Sequence, residues 1–289
     1  QGGDIQGEKV YPHLREIPEE VDLAVIAVRA EQVPGLIEEC AGAGVGGAAV
    51  ISGGFAESGR KDLQDRLVAI AGEADFPFVG PNCLGLYSPD YVDTFFIPSE
   101  RVVRPNPGGV AMVSQSGGVL VDQMVKFALE GVGMSLAVSI GNKAFVRELD
   151  LLRYLMADPR TKVIALYIEG FGKSEGREFV QAASRSPKPV IVLKAGKSPG
   201  GAKAVSSHTA SLGGDYKVFS EILAQFGVAE ARNESELVSF CESLSCYPRA
   251  IEGNIGIVTG SGGHGAMAVD LCSGQGLKVP SLSESVQQH

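Results

Sequence analysis

Short apolar runs rich in β-branched residues alternate along this chain with longer segments in which apolar positions recur at helical spacing. The clearest runs are VDLAVIAV at 21–28, GGAAVIS at 46–52, GVAMVS at 109–114, KVIALYI at 162–168 and PVIVL at 189–193. Runs that are apolar throughout are typical of parallel strands covered on both faces, and the helical segments between them supply that cover. The pattern therefore predicts a doubly wound α/β fold with parallel sheets.

Two breaks in this pattern divide the chain into three units. The Pro-containing segment RPNPGG at 104–109 predicts a linker between a first domain over 1–104 and a second domain over 108–248. The segment YPRAIEGN precedes a third unit over 249–289, in which NIGIVTGSGGHGAMAVDLC predicts a strand, a glycine loop and a helix. We expect this third unit to be the start of an α/β domain, because so short a segment cannot close a core of its own.

Composition and charge narrow the classes of ligand. The 289 residues carry 25 Lys and Arg against 34 Asp and Glu, a net charge of −9. A chain this acidic does not hold nucleic acid or anionic membrane nonspecifically, so a phosphorylated ligand must be bound at a local site. The five cysteines lack the paired spacing of metal ligands, which predicts reduced thiols, a cytoplasmic protein and no metal site.

Three segments of the second domain follow predicted strands, where open α/β sheets bind their ligands. SQSGG at 114–118 opens a helix, whose free N–H groups and dipole suit a phosphate, although an ordinary serine N-cap explains the motif equally well. Glu169 follows KVIALYI, and its simpler interpretation is a solvated loop acid. KAGKSPGGAKAVSSHTASLGG at 194–214 predicts a long loop of small and basic residues that carries His208.

Taken together, the three segments suggest a phosphoryl-transfer site. Imidazole attacks a phosphoryl group through one ring nitrogen when the other nitrogen carries a proton that an acceptor holds. Glu169 is suited to hold His208 in this way, and the N–H groups of residues 115–118 would stabilise the charge of a phosphoimidazole.

Several long motifs carry a resemblance that covers nearly the whole chain in order. They are GPNCLGL at 80–86, SQSGG at 114–118, IGNKA at 140–144, DLLRYLMADPRTKVIALYIEG at 150–170 and KAGKSPGGAKAVSSHTASLGG at 194–214. With these motifs the chain resembles the α part of the ADP-forming acetyl-CoA synthetases and, more distantly, the α subunit of succinyl-CoA synthetase. The resemblance implies tandem doubly wound sheets, a Rossmann-like CoA-binding domain followed by a flavodoxin-like ligase domain. It also implies reversible conversion of acyl-CoA, phosphate and ADP to carboxylic acid, CoA and ATP through an acyl phosphate and a phosphohistidine.

The resemblance further implies roles for individual residues. His208 matches the phosphorylated histidine, and Glu169 matches the glutamate that orients it. The phosphate-holding helix start matches Ser114, Gln115, Ser116 and Gly117. The residues that match the neighbourhood of the CoA pantetheine arm and thiol are Ser52, Gly53, Gly54, Asn82 and Cys83. Cys83 would also be explained as a small buried hydrophobe.

Three features depart from the family pattern. A first βαβ piece of about 30 to 40 residues, with the glycine loop for CoA phosphates, should precede GGDIQG. His264 stands where the family more often has a small residue or proline, and we interpret it as a loop substitution. No ATP-grasp domain is readable, so the resemblance implies that ADP or ATP and Mg²⁺ are bound by an ATP-grasp partner. That partner would be a separate β subunit or a fused domain of a hetero- or homo-oligomer.

Two other functions compete with the ligase. A catalytically silent module that senses CoA or acyl-CoA for a fused acetyltransferase has no need of His208, Glu169 and the SQSGG helix start together, so their presence favours catalysis. A nicotinamide or flavin oxidoreductase is disfavoured, because no GxGxxG motif directly follows a first strand with an acid about twenty residues further on.

Overall fold

The structure is a computed structural model of the chain. It describes residues 3–98, 100–172, 174–208, 215–247 and 253–287, without the side chains of 206–208 and 287. The chain divides into two compact units, Gln1–Pro248 and Arg249–His289. Among the described residues, no helix has the length and apolar character needed to cross a membrane.

The amino-terminal part of the larger unit contains a hairpin and a small parallel sheet. The hairpin pairs β1 (Gly3–Ile5) with β2 (Glu8–Val10). The sheet places β4 (Ala48–Val50) between β3 (Ala24–Ile26) and β5 (Phe78–Val79), with all three strands parallel. Two helices accompany this sheet, α1 (Val33–Gly42) and α2 (Lys61–Glu73). Apolar side chains of both helices form one buried core with the strands.

A second, larger sheet forms the centre of this unit. Its seven strands are β6 (Gly85–Ser88), β7 (Val92–Asp93), β8 (Pro107–Ser114), β9 (Met134–Ser139), β10 (Val163–Ile168), β11 (Val190–Lys194) and β12 (Ala229–Ala231). They lie in the order β12-β11-β10-β8-β9-β6-β7. The five strands from β8 to β12 are parallel, whereas β6 and β7 join the sheet antiparallel.

Helices cover both faces of the large sheet. They are α3 (Gly117–Leu129), α4 (Glu148–Ala157), α5 (Glu175–Ala183), α7 (Tyr216–Gln225) and α8 (Glu234–Cys246), and a further helix, α6 (Pro199–His208), follows β11. Side chains of α3 and α8 share one apolar core with the strands. Side chains of α4, α5 and α7 share another. The predicted doubly wound α/β fold is therefore confirmed.

Two segments have local structure that the sequence pattern does not predict. Residues 85–93, which lie within the predicted first domain, form β6 and β7 of the second sheet, because Gly85–Ser88 pairs with β9. Residues 199–208, which the sequence places in a long loop, are helical. Pro199 has the fixed φ of a first helical residue, and the Ser198 hydroxyl accepts the Gly201 N–H at 3.1 Å. The remainder of the predicted loop, 209–214, lies outside the described residues.

The smaller unit contains α9 (Gly262–Gly274) and α10 (Glu284–Gln287). Ser261 caps α9, where the His264 N–H donates to its hydroxyl. The strand predicted in NIGIV does not form over the described residues 254–258. The Ile255 N–H instead donates to the Lys278 carbonyl at 2.9 Å. A strand exists only when a neighbour pairs with it, and the described part of this unit supplies no such neighbour.

Candidate active site at the sheet edges

Two turns, one from each sheet, interlock at the edge of the larger unit. The Asn142 N–H donates to the Pro81 carbonyl at 2.9 Å, and the Ala144 N–H donates to the Gly80 carbonyl at 3.0 Å. The Asn82 side chain lies exposed at the tip of its turn, and its Nδ2 donates to Asn142 Oδ1 at 3.4 Å. The GPNC and IGNKA motifs therefore form a direct backbone junction between the first sheet and the second.

A cavity of about 450 Å³ opens beside this junction, beyond the carboxyl ends of the central strands. Predicted site residues from both sheets line it: Asn82, Cys83, Gln115, Ser116, Gly117 and Glu169. Apolar side chains form another part of its wall: Leu84, Phe96, Ile97 and Val121. The structure thus brings together residues that lie far apart in the sequence.

The predicted phosphate site lies at the start of α3. Ser116 is its N-cap, and its hydroxyl accepts the Val119 N–H at 3.4 Å. The buried Ser114 hydroxyl accepts the Ser116 N–H at 3.1 Å and donates to the Ser116 carbonyl at 2.6 Å. The amides of Gly117 and Gly118 come next and have no carbonyl partner within the helix. They are the amides of this segment best suited to an anion.

Gln115 is held inside the protein. Its backbone N–H donates to the Tyr167 carbonyl at 3.3 Å. Its side-chain Oε1 accepts the N–H groups of Glu169 at 2.7 Å and Gly170 at 3.2 Å. Its Nε2 donates to the Gly170 carbonyl at 2.9 Å and to the Glu148 carboxylate. Gln115 therefore fixes the residues that follow β10.

Glu169 follows β10, as predicted, and its side chain is partly buried. The Tyr167 hydroxyl lies 3.5 Å from Glu169 Oε1. Burial, with a further contribution from the charge of Glu169, raises the pKa of Tyr167 to about 12, so Tyr167 remains a donor at neutral pH. His208 is the last residue of α6, and its side chain lies outside the described part of the structure.

On the side of the first sheet, Ser52 and Glu57 hold the backbone. The buried Ser52 hydroxyl donates to the Val28 carbonyl at 2.7 Å and accepts the Val28 N–H at 3.0 Å. Gly54 has φ +98°, a conformation that favours glycine. Its N–H donates to Glu57, which also accepts a hydrogen bond from the Asn142 side chain. Glu57 therefore joins the turn at 51–55, with the sequence ISGGF, to the IGNKA turn.

Cys83 lines the cavity but has little solvent exposure. The residue is 6% exposed, and its Sγ lies 3.3 Å from the Val50 carbonyl. Burial raises the pKa of this thiol to about 12, so it stays protonated at neutral pH. These features are typical of a small buried hydrophobe.

Four residues that contact the site were not predicted to take part in it: Glu57, Asn142, Lys143 and Lys194. Asn142 and Lys143 lie in IGNKA, one of the motifs that carry the family resemblance, so this motif could have indicated their importance. Within the described ranges, no group of three or more His, Cys, Asp or Glu residues could hold a metal ion.

Comparisons with known proteins place both sheets in known families. A CoA binding domain family matches residues 1–89. A succinyl-CoA ligase like flavodoxin domain family matches residues 107–244.

Individual relatives agree with these family matches. The ADP-forming acetate–CoA ligase I of Archaeoglobus fulgidus is 42% identical over 284 residues, 97% of this chain and 40% of that protein. The α subunit of ADP-forming acetate–CoA ligase I of Pyrococcus furiosus is 40% identical over 288 residues, 96% of this chain and 61% of that protein. Acetyl-coenzyme A synthetase 1 of Ca. Korarchaeum cryptofilum, solved with phosphate and ADP, matches with a TM-score of 0.87 at 36% identity. That match covers 99% of this chain and 61% of the other.

This chain spans between 40% and 61% of the length of these proteins. Over that length, the identity and the two matched domains agree in order with the sequence motifs. The chain belongs to the family of ADP-forming acetyl-CoA synthetases, of which it contains the CoA-binding domain and the succinyl-CoA ligase-like flavodoxin domain.

Proposed function

We propose that this chain carries the acyl-CoA and phosphohistidine half of a reversible, NDP-forming acyl-CoA synthetase reaction. An oxygen of orthophosphate attacks the thioester carbonyl, the C–S bond breaks, and the CoA thiolate leaves and takes up a proton. A ring nitrogen of His208 attacks the phosphorus of the acyl phosphate, the N–P bond forms, and the carboxylate leaves as the P–O bond breaks. Transfer of the phosphoryl group to ADP breaks the N–P bond and forms ATP.

One observation carries the proposal. Asn82 from the first sheet, the α3 start and Glu169 from the second sheet all line one cavity of about 450 Å³. A thioester, a phosphate and an imidazole must be held at near-contact distance for the two transfers to occur. A cavity lined by residues that follow strands of both sheets could hold the three groups together.

The α3 start would bind the phosphate and then the phosphoryl group in flight. Gly117 and Gly118 supply amides at a helix N-terminus, where the dipole favours a negative charge. Ser114 and Ser116 hold the shape of this segment through their mutual hydrogen bonds. Such preorganised donors stabilise the charge that develops during transfer.

Glu169 would act on His208 as a carboxylate acts on the imidazole in other nucleophilic histidine sites. Its carboxylate accepts a hydrogen bond from one ring N–H, fixes the tautomer, and stabilises positive charge on the ring. The other ring nitrogen is then free to attack phosphorus. The hydrogen bond from Tyr167 would help to set the direction of the Glu169 carboxylate.

CoA would lie along the first sheet with its thiol near Asn82. Gly53 and Gly54 let the pantetheine arm approach the backbone closely, because neither has a side chain. Ser52 and Cys83 would support this site from inside, since their polar atoms bind the backbone carbonyls of Val28 and Val50.

The nucleotide half of the reaction requires a triphosphate site and a divalent metal held by carboxylates. We infer that an ATP-grasp partner, separate or fused, supplies these for ADP, ATP and Mg²⁺. The named relatives of greater length are ligases, which supports this inference over the CoA-sensing alternative.

Phosphohistidine labelling tests the proposal. The enzyme that contains this chain is incubated with acyl-CoA and labelled orthophosphate, and label on the protein is measured before and after acid treatment. We expect acid-labile label in the unchanged enzyme and in His264→Ala, and none in His208→Ala. Undiminished label in His208→Ala would contradict the assignment.

A further inference from the structure

Every backbone polar group of the dipeptide Glu169–Gly170 is bound by a side chain. Gln115 accepts both N–H groups, at 2.7 Å from Glu169 and 3.2 Å from Gly170. The Glu169 carbonyl accepts a hydrogen bond from Lys194 Nζ at 2.7 Å. The Gly170 carbonyl accepts from Lys143 Nζ at 2.7 Å and from Gln115 Nε2 at 2.9 Å. Three segments distant in sequence thus converge on two residues beyond β10.

Lys143 reaches this dipeptide from the IGNKA turn. Its side chain is 13% exposed, and its Nζ lies 2.9 Å from Glu148 Oε1, whose side chain is 3% exposed. Glu175 lies 3.8 Å from the same ammonium. The ammonium also lies 5.5 Å from the centre of the Phe171 ring. Lys143 is therefore a partly buried cation with paired charge, and it donates to the Gly170 carbonyl.

Lys194 reaches the dipeptide from the end of β11, on the other side. Lys194 is 7% exposed, and its Nζ also donates to the Ala195 carbonyl. The ammonium lies 5.8 Å from the centre of the Phe219 ring. The charged groups that act on it are Glu169, Lys197 and Glu230, and burial lowers its pKa.

The rings beneath the two lysines are also in contact. The Phe171 and Phe219 ring centres are 6.2 Å apart. The two ammonium groups therefore lie over one pair of aromatic rings. They donate to two successive carbonyls, that of Glu169 and that of Gly170. We call Lys143 and Lys194 together the lysine clamp. Ionic donors form shorter and stronger hydrogen bonds to carbonyls than neutral donors do, so the lysine clamp holds the Glu169–Gly170 backbone firmly in place.

We propose that Lys143 and Lys194 are positioning residues that hold the Glu169 backbone, and through it the carboxylate that orients His208 in the acyl phosphate reaction. This inference rests on the proposed function, because it assigns the clamp to the step in which Glu169 acts. Burial of two cations carries a desolvation penalty that a purely structural contact between neutral groups would avoid. The two ammonium groups bind the backbone of a residue whose carboxylate must be positioned to within a fraction of an ångström.

Lys188 provides a matched control. Its ammonium donates to the Leu155 carbonyl at 2.6 Å and to the Asp158 carbonyl, and burial lowers its pKa as well. It lies before β11, at the opposite end of the strand from Lys194. Lys188→Met therefore removes a comparable lysine clamp far from Glu169.

The experiment separates two half-reactions of the complete enzyme with its ATP-grasp part. Phosphohistidine is loaded from labelled ATP and then discharged with acetate and CoA, and each rate is measured in single turnover. In discharge the phosphoryl group moves from nitrogen to the acetate oxygen, and CoA sulfur then replaces phosphate at the carbonyl. Thermal unfolding is recorded for every variant.

We expect discharge in Lys143→Met and in Lys194→Met to slow about tenfold to a hundredfold, because discharge takes place at Glu169. Loading from ATP takes place at the nucleotide site of the ATP-grasp part, away from Glu169, and should stay within about twofold. Lys188→Met should lose similar thermal stability without slowing discharge. Lys143→Arg and Lys194→Arg retain the charge and should recover part of the discharge rate, and they replace any Met variant that does not fold. Wild-type discharge in the variants, or equal losses in both half-reactions, would overturn the inference and leave the proposed function standing. Failure of the unchanged enzyme to form phosphohistidine would overturn both.

Discussion

A Cβ atom added to Gly141 would lie 2.3 Å from the carbonyl oxygen of Asn82, closer than any real Cβ contact. Gly141 also has φ +51°, a conformation that strains residues other than glycine. The two turns therefore pack backbone against backbone, and the site depends on the absence of a side chain at this position. This junction sets how far the proposed thiol site of the first sheet lies from Glu169 in the second.

Gly141→Ala should both destabilise the protein and weaken coupling between the sheets. The left-handed φ alone costs about 1–2 kcal/mol for a non-glycine residue, and the backbone overlap adds to it. Gly131→Ala is the matched control, since Gly131 has φ +71° with open space around it. Urea unfolding should show a larger loss for Gly141→Ala, together with weaker CoA binding. Equal losses in the two variants would mean that the turns separate readily.

Glu57 should make the stability of this junction depend on pH. Burial opposes its ionisation, but hydrogen bonds from Asn142 and from the Gly54 and Phe55 amides outweigh burial and hold the pKa of Glu57 below its ordinary value. As the pH falls, the unfolded chain binds the proton first. The stabilisation is therefore complete above the ordinary pKa and is lost as the pH falls through the folded-state value.

The corresponding experiment compares the melting temperatures of wild type and Glu57→Gln. The variant should melt at a lower temperature at about pH 6, and the difference should shrink as the pH falls through the lowered pKa of Glu57, because wild-type Glu57 then becomes protonated as well. Glu73→Gln alters an exposed glutamate at the end of α2 and should show no such convergence. A gap that stays constant with pH would argue that the carboxylate charge has no part in the junction.

The sequence predicted the parallel strands and the placement of Glu169 because both follow from local patterns. The alternation of apolar runs fixes the strands, and a residue directly after a strand lies at the sheet edge. Strands β6 and β7 could not be predicted in this way, because they are short and gain their stability by pairing with β9. The lysine clamp could not be predicted either. Lys143 and Lys194, together with Gln115, meet at the Glu169 backbone only once the order of the strands in the sheet is known.

Cys83 should be chemically silent in the folded protein. Its thiol is buried with a pKa raised to about 12, whereas Cys246 is exposed. Alkylation at about pH 8 should modify Cys246 quickly and leave Cys83 unmodified until the protein unfolds, because the thiolate is the reactive form. Mass spectrometry of the labelled peptides measures this directly. Rapid labelling of Cys83 would indicate that the GPNC turn opens in solution.

The same burial predicts that Cys83→Ala leaves CoA affinity within about twofold of wild type, because the thiol lies inside the turn and contacts the Val50 carbonyl. A large loss of affinity would show instead that the sulfur itself contributes to the CoA site. Its neighbour Asn82 should behave differently.

Asn82 should contribute to CoA binding through its exposed side chain. It has φ +57°, so a bulky replacement would strain the turn, and Asn82→Gly removes the side chain while keeping the backbone conformation available. One lost hydrogen bond of about 1 kcal/mol weakens CoA binding about fivefold. Asp90→Gly, at another exposed left-handed position with φ +68°, controls for the added backbone freedom. Calorimetric titration of both variants with CoA checks this. If the two dissociation constants change equally, the Asn82 amide makes no contact with CoA, and the thiol must lie elsewhere along the cavity.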